Sequence, residues 1–208
     1  MSGTPDKPYL APYREAVRRH GATFEATLWL SREWQVGRFR VMTEMVDFTG
    51  RTVLDAGCGL GDFAAALEEW GIGYGRYVGL EGMPELVAEA QKRGLPEAEF
   101  IEADFVHDAA AFATHPDLII FSGSLNTLTQ EEAFGVLDRA WAASAEGVVF
   151  NFLSSRHGRT NAPDPSPARR FDPVEMLEWA LSRTPAVQLR QDYFAGHDAT
   201  IAMQRPSA

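Results

Sequence analysis

The residues with the clearest chemical meaning lie in the segment VLDAGCGLGDF, at positions 53–63. A short apolar run there contains the acid Asp55, and Gly57, Gly59 and Gly61 then occupy alternate positions. The pattern predicts a strand, a tight turn and the start of a helix, which is the junction where open α/β sheets bind nucleotide-like ligands. Because glycine has no Cβ, a ligand can approach its backbone closely. The segment therefore predicts a ligand-binding turn.

The spacing of the glycines distinguishes this turn from two phosphate-binding loops. A P-loop has Lys and Ser or Thr after its last glycine, whereas Asp62 and Phe63 follow here. The dinucleotide fingerprint has a longer interval between its second and third glycines than this chain has. A carboxylate beside the turn would also repel a pyrophosphate, so the turn suits a ligand that carries an amine or another positive group.

The acid and the glycines resemble the first motif of the class I, Rossmann-like S-adenosylmethionine (SAM) dependent methyltransferases, which reads acid-x-Gly-x-Gly-x-Gly. This resemblance implies SAM as the cofactor and S-adenosylhomocysteine (SAH) as the product. It also implies that the turn holds SAM through Asp55, Ala56, Gly57, Gly59 and Gly61.

Strands and helices are predicted to alternate from residue 51 onward, from the apolar periodicity and the turn residues. The predicted strands cover residues 51–56, 76–81, 99–102, 117–121 and 147–153. The predicted helices cover residues 13–25, 31–46, 62–70, 84–93, 108–114 and 129–143. This alternation indicates an α/β fold with a doubly wound, mostly parallel sheet.

The C-terminal region departs from the alternation. After a loop at 154–170 and a helix at 173–182, two strands are predicted at 186–193 and 199–205. A final antiparallel hairpin on an otherwise parallel sheet resembles the seven-stranded methyltransferase fold. A NAD-dependent oxidoreductase, the alternative for a glycine-rich turn, more often continues strand–helix–strand.

Composition and charge set further expectations for this chain of 208 residues. We expect a helical N-terminal extension or lid (1–50) before one SAM-binding domain (51–208). The chain has no apolar run long enough for a transmembrane helix and no apolar signal segment. Its single cysteine, Cys58, cannot form an internal disulfide. These features favour a cytoplasmic protein, and the net charge of −10 argues against a nucleic-acid partner.

Glu81 ends the second predicted strand, at about the interval from the glycine turn where an acid meets ribose hydroxyls. Gly82 and Met83 follow it, and Met83 either packs on an adenine face or fills the core. Asp104 ends the third predicted strand. The resemblance implies that it accepts a hydrogen bond from the adenine amine while Phe105 lines the ring; the alternative for Asp104 is a cap of the following turn.

The end of the fourth predicted strand reads Ser-Gly-Ser-Leu-Asn, at positions 122–126. Methyltransferases that act on the nitrogen of bases and amides carry Asn/Asp-Pro-Pro-aromatic at this point, so this chain departs from them. Ser122 and Gly123 are predicted to contact SAM. Asn126 either orients the methyl acceptor or caps the next helix.

The segment 34–39, WQVGRF, resembles a Gln-x-x-Arg-Phe stretch found before the sheet in a subset of small, single-domain bacterial methyltransferases. We predict that Arg38 reaches the methionine carboxylate of SAM, because a guanidinium pairs bidentately with carboxylates. The alternative is a salt bridge from Arg38 to Asp55 or Asp62.

Methyl transfer needs a general base only when the acceptor must lose a proton. The candidates are His107, His157, Tyr193 and His197, of which His157 lies in a loop on the expected side of the sheet. No metal site is expected, because no cluster has metal-ligand spacing. Trp29, Trp34 and the loop 154–170 are expected to form a lid.

The function that these patterns predict is a SAM-dependent methyltransferase acting on oxygen or nitrogen of a small molecule. A catalytically silent SAM- or SAH-binding regulatory or scaffold protein is the alternative from another class. The extension before residue 51 either covers the pocket or forms a homodimer face.

Overall fold

The computed structural model describes residues 7–157 and 167–206. In this part of the chain the strands are β1 Thr52–Ala56, β2 Arg76–Glu81, β3 Ala98–Glu102, β4 Leu118–Phe121, β5 Gly147–Ser154, β6 Arg170–Phe171, β7 Val187–Arg190 and β8 Asp198–Gln204. The helices are α1 Ala11–His20, α2 Arg32–Met45, α3 Asp62–Glu69, α4 Pro84–Lys92, α5 Gln130–Ala143 and α6 Pro173–Leu181.

One mixed sheet organises the molecule, in the strand order β3-β2-β1-β4-β5-β8-β7, with β6 paired to β5 off this path. The strands β1 to β5 pair in parallel, whereas β8 runs antiparallel to both β5 and β7. The predicted doubly wound sheet with a C-terminal antiparallel hairpin is confirmed. All four residues of β4 are buried, as expected for a central strand covered on both faces.

Helix starts follow signals that are local in the sequence. The Thr129 hydroxyl accepts a hydrogen bond from the Glu132 amide, and the Glu132 carboxylate accepts one from the Thr129 amide. This capping box confirms the predicted start of α5. Pro84 opens α4, where its missing N–H costs nothing.

Several predicted elements differ from the structure. The strand predicted at 186–193 is the shorter β7, Val187–Arg190. The first helix ends at His20 rather than residue 25, because Gly21 takes a positive φ of 71° and turns the chain. The predicted helix at 108–114 is a single 3-10 turn, Ala109–Phe112. The predicted loop 154–170 overlaps the two-residue strand β6, whose partner β5 no local pattern indicates.

The hydrophobic core lies on both faces of the sheet. One face packs Leu54, Phe121 and Phe150 together with α5 and α6. On the other face Phe63 packs among side chains that include Phe39 of α2. Helix α2 of the N-terminal extension is therefore part of the main core. Among the described residues, no helix is both long and apolar enough to cross a membrane.

Candidate active site

A cavity of about 290 Å³ opens at the carboxyl edge of the sheet. Residues at the ends of four strands line its floor. They are Asp55 of β1, Glu81 of β2, Ser122 directly after β4 and Leu153 of β5. His197, just before β8, completes it, because the antiparallel β8 begins at the edge where β5 ends. Open α/β sheets bind ligands at this edge, where the strand order reverses.

The glycine turn after β1 forms one end of the cavity. Gly57 and Gly59 line it with φ of 87° and 55°, a backbone region that favours glycine. A Cβ added to Gly57 would lie 2.4 Å from Cβ of Ser124, so the turn also lacks room for a side chain. Gly61 has a different role: it starts α3, and an added Cβ would lie 2.7 Å from the Phe100 ring.

Asp55 is a buried carboxylate with one unused oxygen. Its Oδ2 accepts a hydrogen bond from the Tyr77 hydroxyl at 2.5 Å, while the buried Oδ1 has no partner among the described residues. Burial raises the pKa of Asp55 to about 7, although the Tyr77 hydrogen bond lowers it, and nearby Glu81 raises it further. A buried charge without a partner is costly, so a cationic ligand beside Asp55 would favour the ionised form.

Glu81 ties the glycine turn to the loop after β2. Its Oε2 accepts from the Gly59 amide at 2.9 Å and its Oε1 from the Met83 amide at 3.0 Å. Burial raises the pKa of Glu81, and these backbone hydrogen bonds counteract part of that increase. Each carboxylate oxygen can accept a second hydrogen bond, so Glu81 can still receive ligand hydroxyls at the cavity wall.

Arg38 lies in the cavity wall, and its ion-pair partner is neither Asp55 nor Asp62. Its Nη2 lies 2.5 Å from Oδ1 of Asp198, and both side chains are almost fully buried. Its guanidinium stacks over the Trp29 ring at 4.4 Å. The Arg38 Nε is buried with no partner in the part of the chain that the structure describes, which leaves one donor for a ligand.

Asp104 lies outside the cavity lining and is engaged by the N-terminal segment. The Tyr9 hydroxyl donates to it at 2.5 Å, and the Lys7 ammonium lies 3.0 Å away. Burial alone would raise the pKa of Asp104, but the hydrogen bonds from Tyr9 and Lys7 lower it to about 2. Phe105, also outside the lining, packs edge-on against Phe121.

Four other predicted contacts lie behind the cavity wall rather than in it, namely Ala56, Gly61, Gly82 and Met83. The Ala56 carbonyl accepts from the Ser124 hydroxyl at 2.5 Å. Gly82 faces Leu10, whose Cδ2 would lie 3.0 Å from an added Cβ. Met83 packs with α1 residues in a small separate cluster.

The end of β4 brings Ser122, Gly123 and Asn126 into the lining, as the sequence predicts. The Ser122 hydroxyl is buried without a partner among the described residues. The Asn126 Oδ1 accepts from the Leu153 amide at 3.2 Å. The alternative of a helix cap at Asn126 is wrong, because Thr129 caps α5.

Of the four candidate bases, His197 is the one in the cavity lining. Its Nδ1 lies 3.2 Å from Oδ2 of Asp198, and its Nε2 lies 2.8 Å from Nη2 of Arg170. Burial lowers the pKa of His197, although Asp198 raises it, so the neutral imidazole is favoured. The His157 ring lies behind it, 6.0 Å from the His197 ring.

The two remaining candidates have partners away from the cavity. His107 contacts Asp104, and the Tyr193 hydroxyl lies 2.6 Å from Oγ1 of Thr200. Trp29 and Trp34 line the cavity, as do Pro167 and Ala168 of the predicted lid loop. Residues 158–166 of that loop lie outside the described residues.

Sequence reasoning missed three residues of the site. Tyr13 of α1 lines the cavity near Glu81, and burial raises its pKa to about 12. The Gln35 amide donates to Asp62 Oδ2 at 3.0 Å. Asp198, the partner of Arg38, is distant in sequence and gives no local signal. The segment 34–39 did mark Gln35, which the prediction passed over.

The chemistry of the cavity fits SAM. The sulfonium and the ammonium of SAM are positive, and the lining beside the glycine turn includes the acids Asp55, Asp62 and Glu81. Because Gly57 and Gly59 have no side chains, a ligand can approach the backbone of the turn closely. In residues 7–157 and 167–206, no group of three or more His, Cys, Asp or Glu side chains is placed to hold a metal ion.

Comparison with known proteins identifies a domain and a fold. The family model for a methyltransferase domain matches residues 53–147, from the middle of β1 to the start of β5. No curated protein matches the chain by sequence.

Similar solved structures share the fold. The DhpI–SAH complex has a TM-score of 0.66 at 18% identity, over 96% of this chain and 95% of that one. Magnesium protoporphyrin IX methyltransferase (ChlM) from Synechocystis PCC 6803 with bound SAH has a TM-score of 0.65 at 15% identity, over 84% and 83% of the two chains. The family match therefore shows a methyltransferase domain at residues 53–147, and the solved structures show that the chain shares their fold.

Proposed function

We propose that this methyltransferase transfers a methyl group from SAM to an oxygen or nitrogen atom of a small molecule bound in the same cavity. The observation that carries the proposal is the continuity of the cavity, which runs from Glu81 past the glycine turn to Asn126 and His197. One cavity therefore connects the residues assigned to the cofactor with those assigned to the acceptor.

The cofactor end is assigned to the strands β1 and β2. The Gly57–Gly59 turn and Asp55 would hold the positively charged methionine end, and Glu81 would receive ribose hydroxyls. The free Nε–H of Arg38 would donate to the methionine carboxylate. The role of Asp104 as the acceptor of a hydrogen bond from the adenine amine stays a prediction. To accept that hydrogen bond, the Asp104 carboxylate must give up its contact with Tyr9 or Lys7.

The acceptor end is assigned to the ends of β4 and β5. SAM supplies a methyl group that is already activated on a sulfonium, so this chain mainly positions the two reactants. Ser122, which the sequence predicts to contact SAM, is assigned here with Asn126 to the acceptor. Both would orient the acceptor atom, which forms its bond to the methyl carbon as the carbon–sulfur bond breaks. The electron pair stays with sulfur, and the acceptor proton leaves to water or a base.

His197 is the side chain best placed to take that proton, and His157 lies behind it as the weaker candidate. Asp198 orients the His197 ring through Nδ1, and burial keeps the ring neutral, which is the form that accepts a proton. Arg170 shares the other ring nitrogen, so the acceptor must displace that hydrogen bond first.

We also assign a covering role to the N-terminal extension, residues 1–50. Tyr13 of α1, Trp29, and Trp34 and Arg38 of α2 all lie in the cavity lining. These contacts favour a cover over the pocket rather than a separate module. A cytoplasmic location and the absence of a nucleic-acid partner remain proposals, supported by the single cysteine and the acidic net charge.

Isothermal titration with SAM, SAH and NAD tests the cofactor end. We expect micromolar binding of SAM and SAH and none of NAD. Arg38→Lys keeps a cation for Asp198 but removes Nε–H, so SAH affinity should fall by about tenfold, the range for losing a hydrogen bond to a charged group. Arg40→Lys, at a cation–π contact with Trp70 outside the lining, is the matched control. Unchanged SAH affinity in Arg38→Lys would contradict the role of Arg38.

A further inference from the structure

The half of the cavity next to β4, β5 and β8 has a different chemistry from the half next to β1 and β2. Among the described lining residues Arg38 is the one Lys or Arg, and its charge is already paired with Asp198. The neighbouring His197 is favoured in its neutral form. This half therefore offers no uncompensated charge from the part of the chain that the structure describes.

Two tryptophans give this half its aromatic surface, and both are held in place by packing. The Trp34 ring stacks on Phe194 at 4.4 Å between centroids, and it meets His197 edge-on at 5.0 Å. Gly37 permits this arrangement, because an added Cβ would lie 2.4 Å from Phe194 Cζ. The Trp34 ring is thus fixed before any ligand arrives.

Trp29 is fixed by different neighbours. The Arg38 guanidinium covers one face at 4.4 Å, and the Phe39 ring meets it edge-on. On the sheet side, a Cβ added to Gly123 would lie 3.1 Å from Trp29 Cζ2, so only glycine lets the indole come this close to β4. The buried pair of Arg38 and Asp198 therefore holds an aromatic wall.

The cavity also exposes apolar side chains. Leu28 and Leu30 both line the cavity, yet they are 40% and 65% exposed. Leu28 also has a φ of 61°, an uncommon conformation for a bulky residue, and strain of this kind concentrates at ligand-binding sites. Exposed leucines at a cavity mouth suit contact with an apolar ligand.

Few polar groups remain to meet an acceptor here. The Ser122 hydroxyl is buried without a partner among the described residues, and Asn126 lies in the same lining. A hydroxyl and an amide can orient one polar atom of a ligand, but they cannot neutralise a carboxylate or a phosphate. Burying such an anion here would carry a large desolvation penalty.

We propose that the methyl acceptor is an uncharged aromatic molecule with one hydroxyl or amine group, bound against Trp29 and Trp34 with its polar atom at Ser122 and Asn126. This inference rests on the proposed function, since it assigns the acceptor to the half that SAM leaves free. Flat, rigid rings match preorganised tryptophans, and aromatic pairs gain energy beyond their buried area.

The test is isothermal titration of the SAH-saturated protein with naphthol, naphthoate and decahydronaphthol. We expect naphthol to bind at least about tenfold more tightly than naphthoate, because the one cation among the described lining residues, Arg38, is already paired with Asp198. We also expect it to bind about threefold to tenfold more tightly than the saturated alcohol, which lacks the ring interactions.

Variants locate the binding to this wall. Trp34→Leu should weaken naphthol binding by about tenfold and leave SAH affinity unchanged, whereas Trp141→Leu, on α5 outside the lining, should change neither. Leu30→Ser, at a largely exposed side chain, should weaken naphthol binding without affecting folding.

Equal or tighter binding of naphthoate, or no binding of either aromatic probe to the SAH complex, would overturn the inference. Unchanged naphthol affinity in both Trp34→Leu and Leu30→Ser would overturn it as well. If SAH itself does not bind, the proposed function fails, and the inference that rests on it fails at that earlier step.

Discussion

The two halves of the cavity are built on different principles. Near β1 and β2, the site consists of backbone turns and acids, with Asp55 and Glu81 close to the glycines that follow β1. Near β4, β5 and β8, it contains two tryptophans. Trp29 lies under Arg38, which pairs with the buried Asp198, and Trp34 stacks on Phe194. The first half is a local motif, whereas the second is assembled from segments that only the fold brings together.

This difference indicates which part of the site is set by the cofactor and which part can change with the acceptor. The acidic half meets a ligand with fixed positive charges, so its chemistry is set by one turn and two carboxylates. The aromatic half depends on the rotamers and positions of side chains from the N-terminal extension. Changes at Trp29 and Trp34 can therefore alter the acceptor site, whereas Arg38 of the same extension also reaches the cofactor end.

The largest expected effect comes from breaking the ion pair behind the aromatic wall. Asp198→Asn keeps the shape of the side chain but leaves Arg38 buried without its counter-charge, which should cost about 3–5 kcal/mol of unfolding free energy. Urea unfolding measures it. Asp192→Asn, which removes the exposed pair with Arg190, should cost less than about 1 kcal/mol. Equal losses in the two variants would contradict the structural role of the buried pair.

A substitution in the glycine turn should affect the other half almost as strongly. Gly57→Ala meets both a positive φ and the Ser124 side chain, so SAH affinity should fall by roughly a hundredfold, from strain of about 1–3 kcal/mol or more. Gly94→Ala is the matched control, since Gly94 also has a positive φ but faces open space. If both variants bind SAH alike, steric closure at Gly57 is not what shapes the site.

The raised pKa of Asp55 predicts that the stability of the folded protein depends on pH. Its pKa is raised from 3.8 to about 7 in the folded state, so the folded protein holds an extra proton between these values. The stability that this group contributes is therefore greatest at low pH and is lost as the pH rises through about 7. Thermal unfolding without ligand should show this decline, and Asp55→Asn should flatten it.

The same residue links pH to cofactor binding. A cationic ligand favours the ionised carboxylate, so SAH affinity should decrease as the pH falls below about 7. In Asp55→Asn the affinity should be about tenfold lower at neutral pH and should no longer follow this curve. SAH titrations of the unchanged protein and of Asp55→Asn across the pH range measure this effect. If another group is responsible, the SAH affinities of both proteins will change with pH at the same slope.

The smallest effect is expected at Ser122, where a substitution should change acceptor turnover and leave cofactor affinity unchanged. Ser122→Ala removes one hydroxyl from the acceptor end, so kcat/KM should fall by about threefold to tenfold while SAH affinity stays constant. Ser155→Ala, at an exposed position after β5, is the control. A loss of SAH affinity in Ser122→Ala would move this residue to the cofactor end.

Sequence reasoning predicted the glycine turn and Glu81 from their spacing, but it could not predict the ion pair behind the aromatic half. The turn from Asp55 to Gly61, the position of Glu81 and the start of α5 depend on residues close together in the chain, so their spacing carries the information. The ion pair between Arg38 and Asp198 has no such local signal. The two residues are far apart in the chain, and the antiparallel placement of β8 brings them together.

The same reason explains the other differences. Tyr9 engages Asp104 across 95 positions, which no local pattern encodes. The two-residue strand β6 exists only because the end of β5 is available to pair with it. The end of α1 is an exception, because Gly21, a residue of positive φ, follows it directly in the sequence.

A crystal structure of the SAH complex tests the central claim most directly. The account predicts the amino-acid end of SAH within hydrogen-bond distance of Asp55 or the Gly57–Gly59 turn, with the space beside Trp29 and Trp34 still open for an acceptor. SAH seated instead between Trp29 and Trp34, with no contact to the glycine turn, would contradict the division of the cavity into an acidic cofactor half and an aromatic acceptor half.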